Sequence, residues 1–192
     1  MTAGEPGPAR TLVVLRHAKS AYPPGVPDHD RPLSPRGVAD ARATGAWLRD
    51  RFPALDHVVV SSARRTRGTW TLVAAEVGYI GAAGYDVASP GPLTVDPRVY
   101  DATADELLTV LRELPDRVAT AVLVGHNPGC EDLVRLLAGE RDPDAAAALD
   151  VKYPTAGAAV LETRVPWAAL APGDARLAEF VVNRGEAAPP YG

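Results

Sequence analysis

The run Thr11-Leu12-Val13-Val14-Leu15-Arg16-His17-Ala18 decides how this chain is read. A continuous aliphatic and β-branched stretch of that length reads as a strand buried on both faces, and open α/β sheets bind ligands just beyond the carboxyl ends of such strands. His17 therefore stands where chemistry is expected. Two later strand patterns end alike: His57-Val58-Val59-Val60-Ser61 runs into Ser62-Ala63-Arg64-Arg65-Thr66-Arg67, and Ala121-Val122-Leu123-Val124-Gly125 runs into His126-Asn127-Pro128. Three strands thus deliver histidine or arginine to one edge of a sheet. Such a cluster makes a poor core, because arginine is almost never fully buried unpaired. It suits a phosphoryl group, whose oxygens match the planar, permanently charged guanidinium fork.

The chain has 192 residues, 46% apolar and 23% charged, which fits one soluble globular domain with one core. We expect a flexible tail over residues 1–10, a single domain over 11–184 and a loose tail over 185–192. The net charge of −4 argues against a broad nucleic-acid face. Cys130 is the only cysteine, which excludes an internal disulfide and a cysteine-rich metal site. Residues 2–9 are small and rich in Pro and Gly, unlike a signal peptide, and no apolar run is long enough to span a membrane. A cytoplasmic location is the expectation.

Ser34 before Pro35 is an N-cap with proline at the first helical position. Val38, Ala41, Gly45, Leu48 and Phe52 then recur at helical spacing, predicting an amphipathic helix over about 35–52. A helix over roughly 65–77 follows the strand 57–61, and the Gly-, Ala- and Pro-rich stretch 78–92 reads as a long connection. Thr103-Ala104-Asp105-Glu106 is a capping box opening a helix over about 104–114. After the strand 120–125 a helix is expected from Pro128 to Ala138, capped by Asn127, lined inside by Leu133, Leu136 and Leu137, and stopped by Gly139. Residues 140–150 read as a lid-like loop with a short helix. Ala158–Val165 and Ala175–Val182 read as two strands joined in a hairpin-like ending through Pro172-Gly173-Asp174. Strands alternating with helices imply an α/β fold, a three-layer α/β/α sandwich around a mainly parallel sheet, with antiparallel strands added at the end. His57 reads as a surface residue, Cys130 as packing, and Trp47, Trp70 and Trp167 as core.

These residues resemble the histidine phosphatase superfamily, with its phosphoglycerate-mutase-like fold. Arg16-His17-Ala18 is similar to its Arg-His-Gly motif with alanine third. Arg65, in the frame Ser61-x-x-x-Arg65-x-x-x-Thr69, resembles its second arginine, and Gly125-His126 its second histidine. The run Arg16-His17-Ala18-Lys19-Ser20, the loop Asp28-x-x-Arg31-Pro32-Leu33 and His126-Asn127-Pro128-Gly129 are closest to the SixA-type phosphohistidine phosphatase branch. The resemblance spans roughly residues 11–165. It implies that His17 is the nucleophile, taking the phosphoryl group as a phosphohistidine that water then hydrolyses. Arg16, Arg65 and His126 would hold the phosphoryl oxygens, with no metal or other cofactor required. Asp28 is the candidate general acid, the alternative being that it pairs with Arg31 or caps the turn before Ser34. No long insertion covering the site is found, so an open, shallow site is expected. Phosphohistidine on a protein is the expected substrate; a broad phosphomonoesterase for small phosphate esters and a phosphate-binding module without turnover are the alternatives.

Overall fold

The computed structural model describes residues 7–78 and 93–186. The first strand, β1 (Arg10–Arg16), is followed by α1 (Pro35–Arg51), β2 (His57–Ser61), α2 (Arg64–Val77) and β3 (Leu93–Asp96). Then come α3 (Ala104–Arg112), β4 (Thr120–Gly125), α4 (Gly129–Leu137), β5 (Ala138–Arg141), α5 (Pro143–Val151), β6 (Gly157–Thr163) and β7 (Ala175–Val182). Among the described residues the strands form one seven-stranded sheet in the order β3-β2-β4-β1-β6-β7-β5. The pairs β1/β4, β2/β4, β2/β3 and β5/β7 are parallel, and β6 pairs antiparallel with both β1 and β7. Only β6 among these strands runs against the rest, so the mainly parallel sheet read from the sequence is present.

Alternation along β1 sorts the core into two halves. Val13 and Leu15 face a cluster holding Leu48 of α1 and Trp70 and Val73 of α2. Leu12 and Val14 face another that holds Leu107 and Leu111 of α3, Leu133 and Leu137 of α4, and Leu149 of α5. Helices cover both faces of the sheet, which is why its central strands are apolar on both sides. Trp70 and Trp167 are fully buried and Trp47 is partly buried, as expected for core residues. No helix among the described residues is long and apolar enough to cross a membrane.

The expected caps at Ser34 and at Thr103/Glu106 are formed, with the Ser34 side chain accepting from the Gly37 N–H and the capping box complete. Several local expectations need correcting. Val38 is exposed, and Gly37 instead is buried against the Lys19 carbonyl, which a Cβ at position 37 would displace. Asn127 does not cap α4, whose N-cap is Pro128 with no side-chain hydrogen bond; its amide donates instead to Glu131 Oε2 (3.1 Å) and the Tyr153 carbonyl (3.2 Å). Past Leu137 the chain turns directly into β5, and residues 143–151 form α5, so 138–151 is part of the packed fold and no lid. The strand β3 was hidden beside the Gly/Pro-rich stretch, of which residues 79–92 lie outside the described residues. At the N-terminal boundary Arg10 already belongs to β1 and pairs with Asp116, and at the C-terminal one the Gly185 N–H reaches Asp40 Oδ1 (3.3 Å).

Candidate active site

Because β2, β4 and β1 are adjacent and parallel, their carboxyl ends meet at one edge. Arg16 is in register with Gly125, and the His17 N–H continues the ladder to the Gly125 carbonyl at 3.0 Å. Arg16, His17, Arg65 and His126 all line one cavity of about 440 Å³, together with Asp28, Arg31, Lys19 and Tyr100 among others. The sequence reading named the first four and Asp28, and the fold brings all five together. His17 and His126 are each 8% exposed and Arg65 5%, so these groups lie deeper than a shallow site would hold them.

Each imidazole has its tautomer set by its neighbours. His17 Nδ1 lies 2.7 Å from the Ala18 carbonyl, which can only accept, so Nδ1 carries the proton. Nε2 keeps its lone pair and receives Arg65 Nε–H at 3.2 Å. Burial pushes the His17 pKa down to about 4 against the opposing pull of the Ala18 carbonyl, and the charges of Arg65, Arg16 and Arg31 push the same way as burial. His17 is thus neutral at ordinary pH with a free electron pair on Nε2. His126 is the mirror case: Nδ1 accepts from Arg65 Nη2 (3.2 Å), leaving Nε2–H to donate to Ser61 Oγ (2.8 Å). Burial, then His17 and Arg65, lower its pKa to about 3.

Arg65 is the hub. Besides both imidazoles it donates to the Asp28 carbonyl from Nη1 (2.6 Å) and to Asp28 Oδ2 from Nη2 (2.9 Å). Thr69, one turn later on α2, explains the Arg65-x-x-x-Thr69 spacing. Its hydroxyl donates to the Arg65 carbonyl (2.7 Å) and accepts from the Ala18 N–H (3.0 Å), tying the helix to the residue after His17. Arg64 and Arg67, by contrast, are exposed.

Asp28 accepts from Arg31, Arg65 and the Tyr100 hydroxyl (2.8 Å). The Tyr100 hydrogen bond and then, against some desolvation, the Arg65 charge lower its pKa to about 2, so it is a carboxylate in the free protein. The pairing with Arg31 considered from the sequence is present, and the bond to Arg65 comes in addition. Arg16 donates from Nη1 to the Tyr153 carbonyl (2.7 Å), while its Nε is buried without a partner. Arg31 also has a buried Nε and Nη1 without partners, and it stacks on Tyr22 at 4.0 Å. Arg31 and Tyr100 were not named as site residues from the sequence. The Asp28-x-x-Arg31 spacing was the available signal for Arg31, whereas Tyr100 depends on the short strand β3.

Cys130 is fully buried, its thiol pushed up to about 12 by burial, as a packing residue should be. His57, at the amino end of β2, bonds Thr94 Oγ1 (3.1 Å) away from the cavity. No three His, Cys, Asp or Glu side chains come together as a metal-ligand group among the described residues.

Residues 12–83 match the model of the histidine phosphatase superfamily (branch 1). An uncharacterized protein of Mycobacterium tuberculosis is 40% identical over 172 residues, covering 88% of this chain and 100% of that protein. The solved structure of a Nakamurella multipartitia protein assigned as the phosphohistidine phosphatase SixA is 34% identical, with a TM-score of 0.75 over 93% of this chain and 99% of the other. A phosphoglycerate mutase of Bacillus anthracis, 14% identical, shares the fold at a TM-score of 0.62 over 93% and 95% of the two chains. With the ordered residues Arg16, His17, Arg65 and His126 on the edge of this sheet, the chain belongs to the histidine phosphatase superfamily and is a phosphatase.

Proposed function

We propose that the protein is a metal-independent phosphatase that works through a phosphohistidine on His17 Nε2, and that its substrate is phosphohistidine on a protein. The observation that carries the nucleophile assignment is the tautomer of His17: Nδ1–H is spent on the Ala18 carbonyl and the lone pair of Nε2 faces Arg65 in the cavity. A phosphoryl group entering between them takes Arg65 Nε–H onto an oxygen, and Nε2 attacks phosphorus as the bond to the leaving group breaks. Arg16 and Arg65 supply the fixed donors that a loose phosphoryl-transfer transition state needs, a role that elsewhere falls to metal ions, while His126, through the lone pair on Nδ1, holds Arg65 beside His17. Water then attacks phosphorus, releasing phosphate and restoring His17.

The substrate assignment draws on proton accounting. An ester expels an alkoxide that must be protonated, yet Asp28 is a carboxylate and both site histidines are neutral. A phosphohistidine can take a proton from water at near-neutral pH on the ring nitrogen not bound to phosphorus, and in that protonated form it leaves as neutral imidazole with no acid required from the site. The assignment of the Nakamurella multipartitia relative agrees with this. Asp28 is assigned here to hold Arg65 and Tyr100 in place as a carboxylate, a positioning role, in preference to that of the acid.

The test is a substrate panel run in chelator: a phosphohistidine protein, phosphoserine, sugar phosphates and an aryl phosphate. The phosphohistidine protein is expected to turn over fastest, and brief reaction should trap an adduct that is acid-labile and alkali-stable. His17→Ala should abolish both. Survival of the adduct in that variant removes the nucleophile; faster sugar phosphate turnover replaces the substrate; activity restored only by a divalent metal ends the metal-independent reading.

A further inference from the structure

A second cavity, of about 260 Å³, adjoins the catalytic one and shares Arg16, Lys19 and Thr155 with it. Arg36, Lys152 and Arg184 line the remainder, so every ionisable side chain on its wall is a cation. The arrangement is built and does not arise from loose surface charge. Asp40 of α1, 1% exposed, stands behind the wall and accepts from Arg184 Nη1 (2.8 Å) and, more distantly, Arg36 Nε (3.4 Å). Arg184 also donates to the Thr155 carbonyl at 2.9 Å. One buried carboxylate therefore fixes two guanidiniums at the mouth.

The segment that carries Lys152 is fixed as well. The next side chain, Tyr153, is buried with its hydroxyl on the Val14 carbonyl (2.6 Å), and its own carbonyl receives Arg16. Ala156, at φ 59°, gives its N–H to the carbonyls of both Arg16 and His17 at 3.2 Å. Lys152 itself has no ion-pair partner among the described residues. Arg16, at the junction of the two cavities, keeps a buried Nε–H without a partner, and a buried donor left unpaired is costly unless a ligand meets it. In a chain of net charge −4 this concentration of cations beside the nucleophile focuses anions locally.

We propose that this cavity is a second anion subsite, taking a phosphate or carboxylate borne by the same substrate molecule whose phosphoryl group meets His17, with Lys152 and Arg184 selecting such substrates. It rests on the reading of the His17 cavity as the phosphoryl site. The second anion has two chemically equivalent sources, an acidic side chain flanking a phosphohistidine and a further phosphate on a small molecule.

The experiment titrates the intact protein calorimetrically with methylphosphonate, which carries one anionic group, and with ω-phosphonocarboxylates of graded spacer length, which carry two. On the unaltered protein one spacer length should bind about tenfold or more tighter than methylphosphonate, the scale of a hydrogen bond between charged groups. Lys152→Ala and Arg184→Gln should erase that advantage and leave methylphosphonate affinity unchanged. Lys152, exposed and unpaired, keeps the test sound if Arg184→Gln disturbs folding through Asp40. The source is read from two pairs: phosphohistidine peptides with and without a flanking glutamate, and a small bisphosphate against its monophosphate. The pair whose kcat/KM difference vanishes in Lys152→Ala names it. Equal affinity for mono- and dianions at all spacers, an advantage surviving in Lys152→Ala, or no Lys152-dependent difference in either pair overturns the subsite. Failure of the phosphoryl reading looks different: no adduct then forms on His17, and methylphosphonate affinity is unchanged in Arg65→Ala.

Discussion

Replacing Arg65 tests the organisation of the site most directly, because four of its hydrogen bonds end on three groups that the chemistry needs: His17 Nε2, His126 Nδ1 and both oxygens offered by Asp28. On the proposed mechanism Arg65→Ala removes a buried donor that meets the transferring oxygens, and the loss of one such donor costs about 2.7–4 kcal/mol, or roughly 10²–10³ in rate. The exposed Asp28 carboxylate can be rehydrated, so no large stability loss accompanies the change. Arg65→Lys keeps the charge but not the fork, since one ammonium cannot span His17, His126 and Asp28 together, and it should fall between the two. The assay is kcat/KM on an aryl phosphate, beside Arg64→Ala and Arg67→Ala, whose exposed side chains should change the rate little. The acid limb of the pH profile carries a second reading. The Arg65 charge helps hold His17 neutral, so its removal should move that limb to higher pH. A loss smaller than about tenfold in Arg65→Ala, or equal losses at all three arginines, would mean a diffuse basic surface and refute the hub.

Thr69→Val keeps the shape of a fully buried side chain but strands the Ala18 N–H, so thermal or denaturant unfolding should show a loss of about 1–3 kcal/mol, with Thr69→Ser near the original; equal stability of all three would remove Thr69 as a tie. Asp28→Asn should slow poor and good leaving groups alike, as loss of a positioning carboxylate would; a selective loss on poor leaving groups would make Asp28 the acid. Stability should fall with acid. His17 and His126 are held below the ordinary value near 6.5, so the unfolded chain takes protons first as pH drops below it, and the decline flattens only under about 4 and 3. His17 alone accounts for about 3 kcal/mol of that fall, and His17→Gln should lose its share; a stability curve flat between pH 6.5 and 4 contradicts neutral buried imidazoles.

Much of the site was legible because each of its main groups ends or follows a strand whose apolar run is unmistakable. Arg16 and His17 follow Leu12–Leu15, His126 follows Ala121–Gly125, and Arg65 opens the helix after Val58–Ser61. Parallel neighbours put carboxyl ends together, so topology alone gathers these residues. What escaped the sequence depends on approach rather than on order. Tyr100 reaches Asp28 from the far side of β3, a strand of four residues too short to show a period beside a Gly/Pro-rich stretch. The Tyr153 carbonyl meets Arg16 because α5 and the turn after it pack onto the sheet, where the Ala-rich composition suggested a short helix in a lid-like loop. Val38 matched a helical spacing that is real, but the loop at Lys19 crosses α1 over Gly37, and the stripe is rotated by one residue there.

In the free site each guanidinium nitrogen of Arg65 is partnered, whereas Arg16 and Arg31 keep buried N–H groups without partners. Arg65 meets a lone pair on each imidazole and a carboxylate, which satisfies its fork and leaves His17 unprotonated. Had His17 been given a carboxylate neighbour instead, its pKa would rise, and imidazolium has no electron pair with which to attack. Guanidiniums around it do the opposite. In the mechanism proposed above, an arriving phosphoryl group exchanges the Arg65 Nε–H bond to His17 Nε2 for a bond to oxygen, which frees the lone pair of His17. Asp28 keeps hold of Arg65 throughout that exchange, through its backbone carbonyl and its carboxylate, so the guanidinium can change partners without leaving its place. On that proposal substrate binding and uncapping of His17 are one event, because the lone pair of Nε2 is held by Arg65 Nε–H in the free protein.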